Sequence, residues 1–546
     1  MTRPSTSRAE IHRLARLSPF ELKGEFVRLA QTHQDGQKGR STAHLLNAGR
    51  GNPNWVATGP REAFYALGYF GLAESRRVWT ADDLGGMPDL PGTGQRFDRW
   101  CRSHPALPGV ELLRDCVRLG VERFGFDRDA WLHELADAVV GDSYPVPDRM
   151  LTHAEQVARG YLAEELMDRR PPAGTMDLFA TEGGTAAMCY VFDSLMKNGL
   201  LHKGDRIALM VPVFTPYIEI PELEDYEFDV VRVEAGMFAE TGVRQWRYPT
   251  EEVAKLADPA VKLVCLVNPS NPPSLALSRR VADQIKEIVA TSNPNLLIVT
   301  DDVYGTFVNG FRSLAADLPR NTLLVYSYSK HYGCTGHRLG LIGLNRDNVV
   351  DELIAALPPA EKERLARRYG TLTLEPERLR FVDRLVADSR QVALNHTAGL
   401  SLPQQAQLVL FSLFALLPEG KAYKARVQGV VRERLDLLLE GSGMRIADDP
   451  QRAGYYVELD LLAEAERTAG ADFAAYLEKT YEPTEPLFRL AEQTGVVLLN
   501  GGGFDGPQWS VRVSLANLDS LDYLKIGHHL KEIFAEYRRE WEAGRG

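Results

Sequence analysis

Five short apolar runs occupy the middle of the chain: RIALMVP (206–212), DVVRVEA (229–235), VKLVCLVNP (261–269), NLLIVTDD (295–302) and TLLVYSYS (322–329). Helical spacing separates several of them, as in RRVADQIKEIVATS. Strands that alternate with helices imply a largely parallel sheet covered on both faces. Ligands of such sheets bind at the C-terminal strand ends. The class is therefore α/β, and functional loops are expected just after each run.

The flanks read differently. Residues 9–33 have amphipathic helical spacing interrupted at SPFE, and RSTAHLLNAGRGNPNW (40–55) turns into a loop rich in Gly, Asn and Pro. Residues 60–140 are again helical, with a break near 87–96. After 375 come helical segments, then GYYVELDL, GVVLLNGGGF and WSVRVSLA as strands of a smaller α+β domain. A chain of 546 residues is too long for one ordinary core. The reading is three parts: an N-terminal helical segment (1–145) serving the small domain and oligomer contacts, a large domain (146–375) and a C-terminal small domain (376–546).

Charge narrows the function classes. The net charge of -11 argues against broad nucleic-acid binding and against anionic membranes. No apolar run has transmembrane length, the N-terminus lacks the apolar core of a secretory signal, and Glu10 argues against a transit peptide. The five cysteines (101, 116, 189, 265 and 334) are odd in number and scattered, without a CxxC pair. They read as buried thiols in a reducing cytoplasm, with no disulfide frame. His528 and His529 are adjacent on a helix, about 100° apart, which makes them poor co-ligands, and no metal is expected.

Four motifs follow the strand-like runs. TEGGTAAM (181–188) opens a helix with a Gly-Gly-Thr turn, where free N–H groups and a hydroxyl suit a phosphate. Its spacing is neither that of a dinucleotide fingerprint nor that of a P-loop. NPSNPPS (268–274) turns tightly at a strand end and presents the Asn271 amide. VTDDVYGTF (299–307) ends a strand in Asp301, with Tyr304 three residues on. SYSKHYGCTGHRLG (327–340) sets Lys330 among hydroxyls and glycines, with Arg338 eight positions later. A lysine that attacks a carbonyl beside a bound phosphate needs that company: Ser327 and Arg338 for the phosphate, glycines for close backbone approach. Asn271 precedes Asp301 by 30 residues and Asp301 precedes Lys330 by 29, each about one strand–helix–strand unit, so these side chains can gather at one sheet edge.

Together these residues resemble the fold-type I pyridoxal phosphate enzymes of the aspartate aminotransferase superfamily. The resemblance implies an aspartate-aminotransferase-like large domain, with pyridoxal 5'-phosphate linked to Lys330. It implies Asp301 on the ring nitrogen, Tyr304 and Asn271 on the phenolic oxygen, and Phe214 over the ring. Ser327, Arg338, Gly184 and Thr185 would hold the phosphate, and Arg512 in QWSVRVSLA the substrate α-carboxylate. Tyr144 in GDSYPVPDRML matches a tyrosine that reaches the neighbouring subunit's phosphate, which implies a homodimer within a larger homo-oligomer.

The longer phrases SPFELKGEF, LNAGRGNPNW, GDSYPVPDRML, NPSNPPS and SVRVSLANLDSLDYLKIG resemble the bacterial aspartate 4-decarboxylases, from about residue 17 to about 537. Pro273 and Ser274 depart from the NPxNPTG of ordinary aminotransferases in the same direction. This implies conversion of L-aspartate to L-alanine and CO2 through external aldimine, quinonoid and ketimine. It also implies side aminotransferase activity, with reactivation by α-keto acids such as pyruvate. Arg50 and Lys23 become candidates for the β-carboxylate. The alternatives are an amino-acid aminotransferase with N-terminal decoration, and a cofactor-sensing transcription regulator, for which residues 1–40 are too short and the charge has the wrong sign.

Overall fold

A seven-stranded sheet organises the chain in the computed structural model, which describes residues 6–36, 45–79, 84–240, 243–392, 394 and 399–545. Its strands are β1 (Met176–Thr181), β2 (Arg206–Val211), β3 (Asp229–Glu234), β4 (Val261–Val267), β5 (Leu297–Asp301), β6 (Thr322–Ser327) and β7 (Gly340–Asn345), in the order β1-β7-β6-β5-β4-β2-β3. β2, β3, β4, β5 and β6 pair in parallel, and β7 runs antiparallel to both β1 and β6. This is the fold type that the motifs imply.

Period two along β2, β4 and β5 serves two cores. In β2, Ile207, Leu209 and Val211 join the main apolar cluster, while Ala208 and Met210 face a second one built with Ile285 and Ile288 of helix Arg279–Thr291. Both faces are thus covered, which is why the strands lack polar alternation. The sequence reading missed β7. GLIGLN is short and glycine-interrupted, and the glycines are steric necessities. A Cβ on Gly340 would lie 2.6 Å from the Gly183 carbonyl carbon, and one on Gly343 would lie 2.7 Å from Met176 Sδ.

The N-terminal helices divide between cores. Arg8–Leu14 and Pro19–Gly36 bury Ile11, Leu22 and Phe26 with Val457, Val511 and Leu530 from the C-terminal region. Thr58–Val78, Thr93–Ser103, Val110–Phe124 and Arg128–Val140 instead place Leu67, Phe97, Leu113 and Trp131 in the main cluster beside the sheet. Between these groups Leu46–Asn47 pairs in parallel with Val496–Val497. A three-stranded antiparallel sheet completes the C-terminal region: β8 (Tyr456–Asp460), β9 (Leu499–Asn500) and β10 (Ser510–Ser514), with β10 central. The segment 45–57 therefore runs from the small sheet to the large one. The cysteines are unpaired; Cys101, Cys116, Cys265 and Cys334 are buried, but Cys189 is exposed, contrary to the buried reading. It lies on the outward face of helix Gly184–Lys197, whose spacing buries Met188 and Val191 instead.

Candidate active site

The ends of β1, β4, β5 and β6 open into one cavity of about 310 Å³. Because these strands share a direction, their C-terminal loops meet at one sheet edge. The cavity collects Gly184, Thr185, Phe214, Asn271, Asp301, Tyr304, Ser327, Lys330, Arg338 and Arg512, so most of the residues singled out in sequence converge.

One end of the cavity is built from a helix terminus and an arginine. Helix Gly184–Lys197 starts after Gly183, which has φ +97 and would push any Cβ to 2.5 Å from the Arg338 guanidinium. Free N–H groups of the first turn, the Thr185 hydroxyl and Arg338 therefore face the same space. Ser327 Oγ donates to Ser329 Oγ at 2.9 Å, and both serines line the cavity.

Asp301 lies at the cavity floor, 8% exposed. Burial pushes its carboxyl up to about 6, and the Val303 N–H, the Lys330 charge and the neighbouring Tyr217 phenol only partly oppose this. A buried carboxylate facing open space suits a cationic partner such as a protonated ring nitrogen. The residues present fit a pyridoxal phosphate group at both ends.

Lys330 Nζ donates to the Gly51 carbonyl at 2.9 Å, and Tyr455 OH donates to the same oxygen at 2.9 Å. Tyr304 OH donates to Tyr456 OH at 3.3 Å. Burial opposes ionisation of both phenols. Around Tyr456 the charges of Lys330 and Arg512, with the Tyr304 hydrogen bond, outweigh it and hold that phenol below its ordinary value; Tyr304 stays well above.

Arg512 is 1% exposed, at the centre of β10. Its guanidinium donates to Asn271 Oδ1 (3.2 Å) and to the Gly49 carbonyl (3.2 Å), and packs 4.2 Å from the Tyr456 ring centroid and 4.8 Å from that of Phe504. These partners are neutral, and Nε has no acceptor among the described residues. The carboxyl directly across the sheet, Glu458, is pushed up to about 8 by burial. A buried guanidinium held by neutral groups at a cavity wall is a receptor for an anion.

Three anticipated residues lie outside the cavity lining. Arg50 is exposed, with Nε donating to Asn52 Oδ1 at 3.2 Å. Lys23 is half-buried, with Nζ 5.5 Å over the Phe20 ring and its stem against Gly49. Desolvation, then the charges of Arg512 and Arg50, lower its pKa, which places it in the same positive field. Tyr144 is 74% exposed and does not reach the cavity of its own chain. Sequence reasoning missed Phe20, Gly51, Tyr455 and Tyr456. Phe20 packs edge-on against Phe214 (6.2 Å) and Phe504 (6.3 Å) and closes the cavity from the N-terminal helix. The tyrosine pair in GYYVELDL was the available signal, since a strand start beside the Arg512 strand would put one of them in the site.

Residues 178–526 match the family model for aminotransferase class I and II. The chain belongs to that family. It is 46% identical, over 97% of its own length and 98% of the relative's, to a bifunctional aspartate aminotransferase and L-aspartate beta-decarboxylase from a Pseudomonas species. A histidinol-phosphate aminotransferase of Symbiobacterium thermophilum is 29% identical over 40% of this chain and 58% of its own. Among solved structures, N-succinyldiaminopimelate aminotransferase from Mycobacterium tuberculosis superposes with TM-score 0.56 at 17% identity, covering 97% of this chain and all of its own. A double mutant of Thermus thermophilus aspartate aminotransferase gives 0.53 at 16%, over 93% of this chain and 96% of its own. At these identities the two structures speak for the fold. Among the described residues no helix is long and apolar enough to cross a membrane.

Proposed function

We propose that this chain is a pyridoxal phosphate-dependent enzyme that removes the β-carboxyl group of L-aspartate to give L-alanine and CO2, with aspartate aminotransferase activity as a side reaction. The observation that carries the reading is the juxtaposition, in one cavity, of Lys330, buried Asp301 and buried Arg512. The near full-length similarity to a bifunctional relative selects the reaction.

Pyridoxal phosphate, when bound, supplies a carbonyl for the lysine and a ring that withdraws electrons from the substrate's α-carbon. Arg338, Ser327, Thr185 and the Gly184 turn hold its phosphate; Asp301 holds the ring-nitrogen proton; Asn271 and Tyr304 serve the phenolic oxygen; Phe214 covers a face. Arg512 grips the substrate α-carboxylate, with the Asn271 amide beside it. Lys330, as the free amine, takes the α-proton and returns it, and the Gly51 carbonyl orients that amine by accepting one of its N–H bonds.

In the overall reaction the Cβ–carboxyl bond breaks, CO2 leaves without the electron pair, and Cβ takes up one proton. A tight ion pair on the β-carboxylate would stabilise the anion and oppose its loss. Arg50 and Lys23, near the site but off the cavity lining, provide positive potential there without a preformed clamp.

The oligomer belongs to the same reading. Tyr144 stands exposed on its own chain and serves a neighbouring subunit's phosphate in a homodimer, with further assembly through the extra helices. The three-part division at about 145 and 375, a cytoplasmic setting and reactivation by pyruvate complete it.

A product assay tests the reaction. Incubated with pyridoxal phosphate and L-aspartate alone, the protein yields alanine and CO2 in equal amounts over many turnovers, and Lys330→Ala lowers the rate by about 10⁴-fold or more. A single burst of oxaloacetate that stops until a keto acid is added would mean an aminotransferase instead.

A further inference from the structure

The turn that carries Lys330 is held from outside. Four consecutive carbonyls, those of Lys330, His331, Tyr332 and Gly333, accept hydrogen bonds from other segments. The Trp55 indole N–H is shared between Lys330 O (3.3 Å) and His331 O (3.0 Å). Tyr423 OH also donates to His331 O at 2.9 Å. The Ala57 N–H (3.1 Å) and an Arg61 N–H (3.2 Å) reach Tyr332 O, and the other arm of Arg61 reaches Gly333 O at 2.7 Å. Contact is close enough that a Cβ on Gly333, which has φ +58, would lie 1.8 Å from the Trp55 carbonyl oxygen.

The same segment is anchored on its other side to the region that carries Arg512. The Asn54 N–H donates to Ala516 O at 2.8 Å, and its side-chain amide donates to Leu518 O at 3.1 Å. Arg434 donates to Asn54 Oδ1 (2.9 Å) and to Leu515 O (3.0 Å), with its guanidinium 5.8 Å over the Trp55 ring. Four residues upstream of Trp55, Gly51 offers its carbonyl to Lys330 Nζ. One stretch of about ten residues thus touches the lysine at its backbone and at its amine, and is tied to the β10 end.

We infer that Trp55 is a positioning residue for Lys330, with Arg61 as its second arm, and that residues 51–61 set the lysine's backbone and amine relative to the α-carboxylate site. The indole is not part of the cavity lining; it acts through the lysine backbone. A lysine that must both link to a carbonyl and later carry a proton over a short distance needs its Cα fixed. A displacement of about 1 Å at such a centre costs up to ~10²-fold in rate. Donors to main-chain carbonyls do this without spending the lysine side chain's own freedom.

Trp55→Phe, studied as the cofactor-loaded protein, keeps an aromatic ring on the side of Phe307 and Tyr455 and removes the N–H together with part of the indole's area. The inference rests on the proposed aspartate chemistry for its kinetic arm, so a substrate-free arm accompanies it. In that arm the pH titration of the visible absorbance of the lysine-linked cofactor is expected to move by about half a unit, the scale of one hydrogen bond. In the kinetic arm, kcat with aspartate falls ~10-fold while KM changes less than ~2-fold. The isotope effect on kcat from deuterium at the substrate α-carbon rises, because lysine proton transfer becomes slower than the other steps. Arg61→Lys, which keeps the charge and loses the fork, gives the same signature more weakly and replaces Trp55→Phe should that variant not fold. An unmoved titration with unchanged isotope effect overturns the inference, as does a rate loss accounted for by lower cofactor content alone. A moved titration in a protein that does not turn over aspartate upholds the positioning role and sinks the proposed function.

Discussion

The two walls of the cavity are assembled by opposite means. The wall that fits the cofactor comes from strand ends of one sheet: Gly184 after β1, Asn271 after β4, Asp301 at the end of β5, and Lys330 after β6. Each residue's place follows from a local rule, a strand that stops and a loop that starts. The wall proposed for the substrate draws on chain stretches hundreds of residues apart. Phe20 and Gly51 come from the N-terminal region, Tyr456 and Arg512 from the C-terminal sheet, and they meet because two helices near the N-terminus, with Leu46 and Ala48, are buried in the C-terminal core. One wall is a property of the sheet; the other is a property of closure between distant segments. Cofactor binding and substrate binding should therefore be separable by mutation.

The largest effect expected from that comparison is at Arg512. Arg512→Ala removes a buried guanidinium whose partners are all neutral, so it strands no counter-charge and leaves the phosphate end untouched. Loss of a charge-assisted carboxylate clamp costs about 3–4 kcal/mol, or ~10²–10³-fold in kcat/KM for aspartate. Cofactor affinity, measured by equilibrium titration, should change less than ~3-fold. Parallel loss of both would mean that the two walls are one cooperative unit.

The same contrast explains what could be read in the chain. Lys330, Asp301, Asn271 and Arg338 were legible because the strand period, a turn residue and a chemical need coincide within a few positions of each. Arg512 was reached through the family resemblance, on the motif QWSVRVSLA, rather than from a local rule. Tyr456 and Phe20 were not. The tyrosine pair hints at a site residue, but nothing local says that Tyr456 sits diagonally across from Arg512, because the two are 56 residues apart and meet only through the pairing of β8 with β10. β7 escaped because its glycines lower strand propensity while close approach to Gly183 requires one of them. Trp55 read as part of a loop, and its role depends on where the Lys330 carbonyl lies in space.

A smaller effect, confined to the cofactor wall, concerns Asp301. Its folded-state carboxyl lies near 6, above the unfolded value of about 4, so the folded chain without cofactor binds the extra proton. Below about pH 4 both states are protonated and the burial costs nothing. As pH rises through 6 the buried charge must form, and the cost grows to the order of 2 kcal/mol. Asp301→Asn removes that cost. The melting temperature of the cofactor-free variant should therefore gain on that of the cofactor-free parent as pH rises from 4 to 7. With pyridoxal phosphate bound the gain should vanish or reverse, because the ring nitrogen then supplies the cation. A gain that persists unchanged with the cofactor bound would remove Asp301 from the ring-nitrogen role.

The smallest effect lies where the walls touch. Tyr456 belongs to the substrate wall, yet its hydroxyl accepts from Tyr304 of the cofactor wall, and both Lys330 and Arg512 hold its phenol below the ordinary range. Tyr456→Phe keeps the ring face against Arg512 and deletes the shared oxygen. One hydrogen bond of about 1 kcal/mol predicts a fall in kcat of roughly 3–10-fold. The pH–rate profile is the sharper readout. In the parent, the Tyr456 proton is lost as pH rises below the usual phenol range, and it adds an alkaline limb there. In the variant that limb should disappear and the remaining one should lie higher. If the limb stays in place, the ionisation belongs to another group, and the contact between the walls carries packing but no proton.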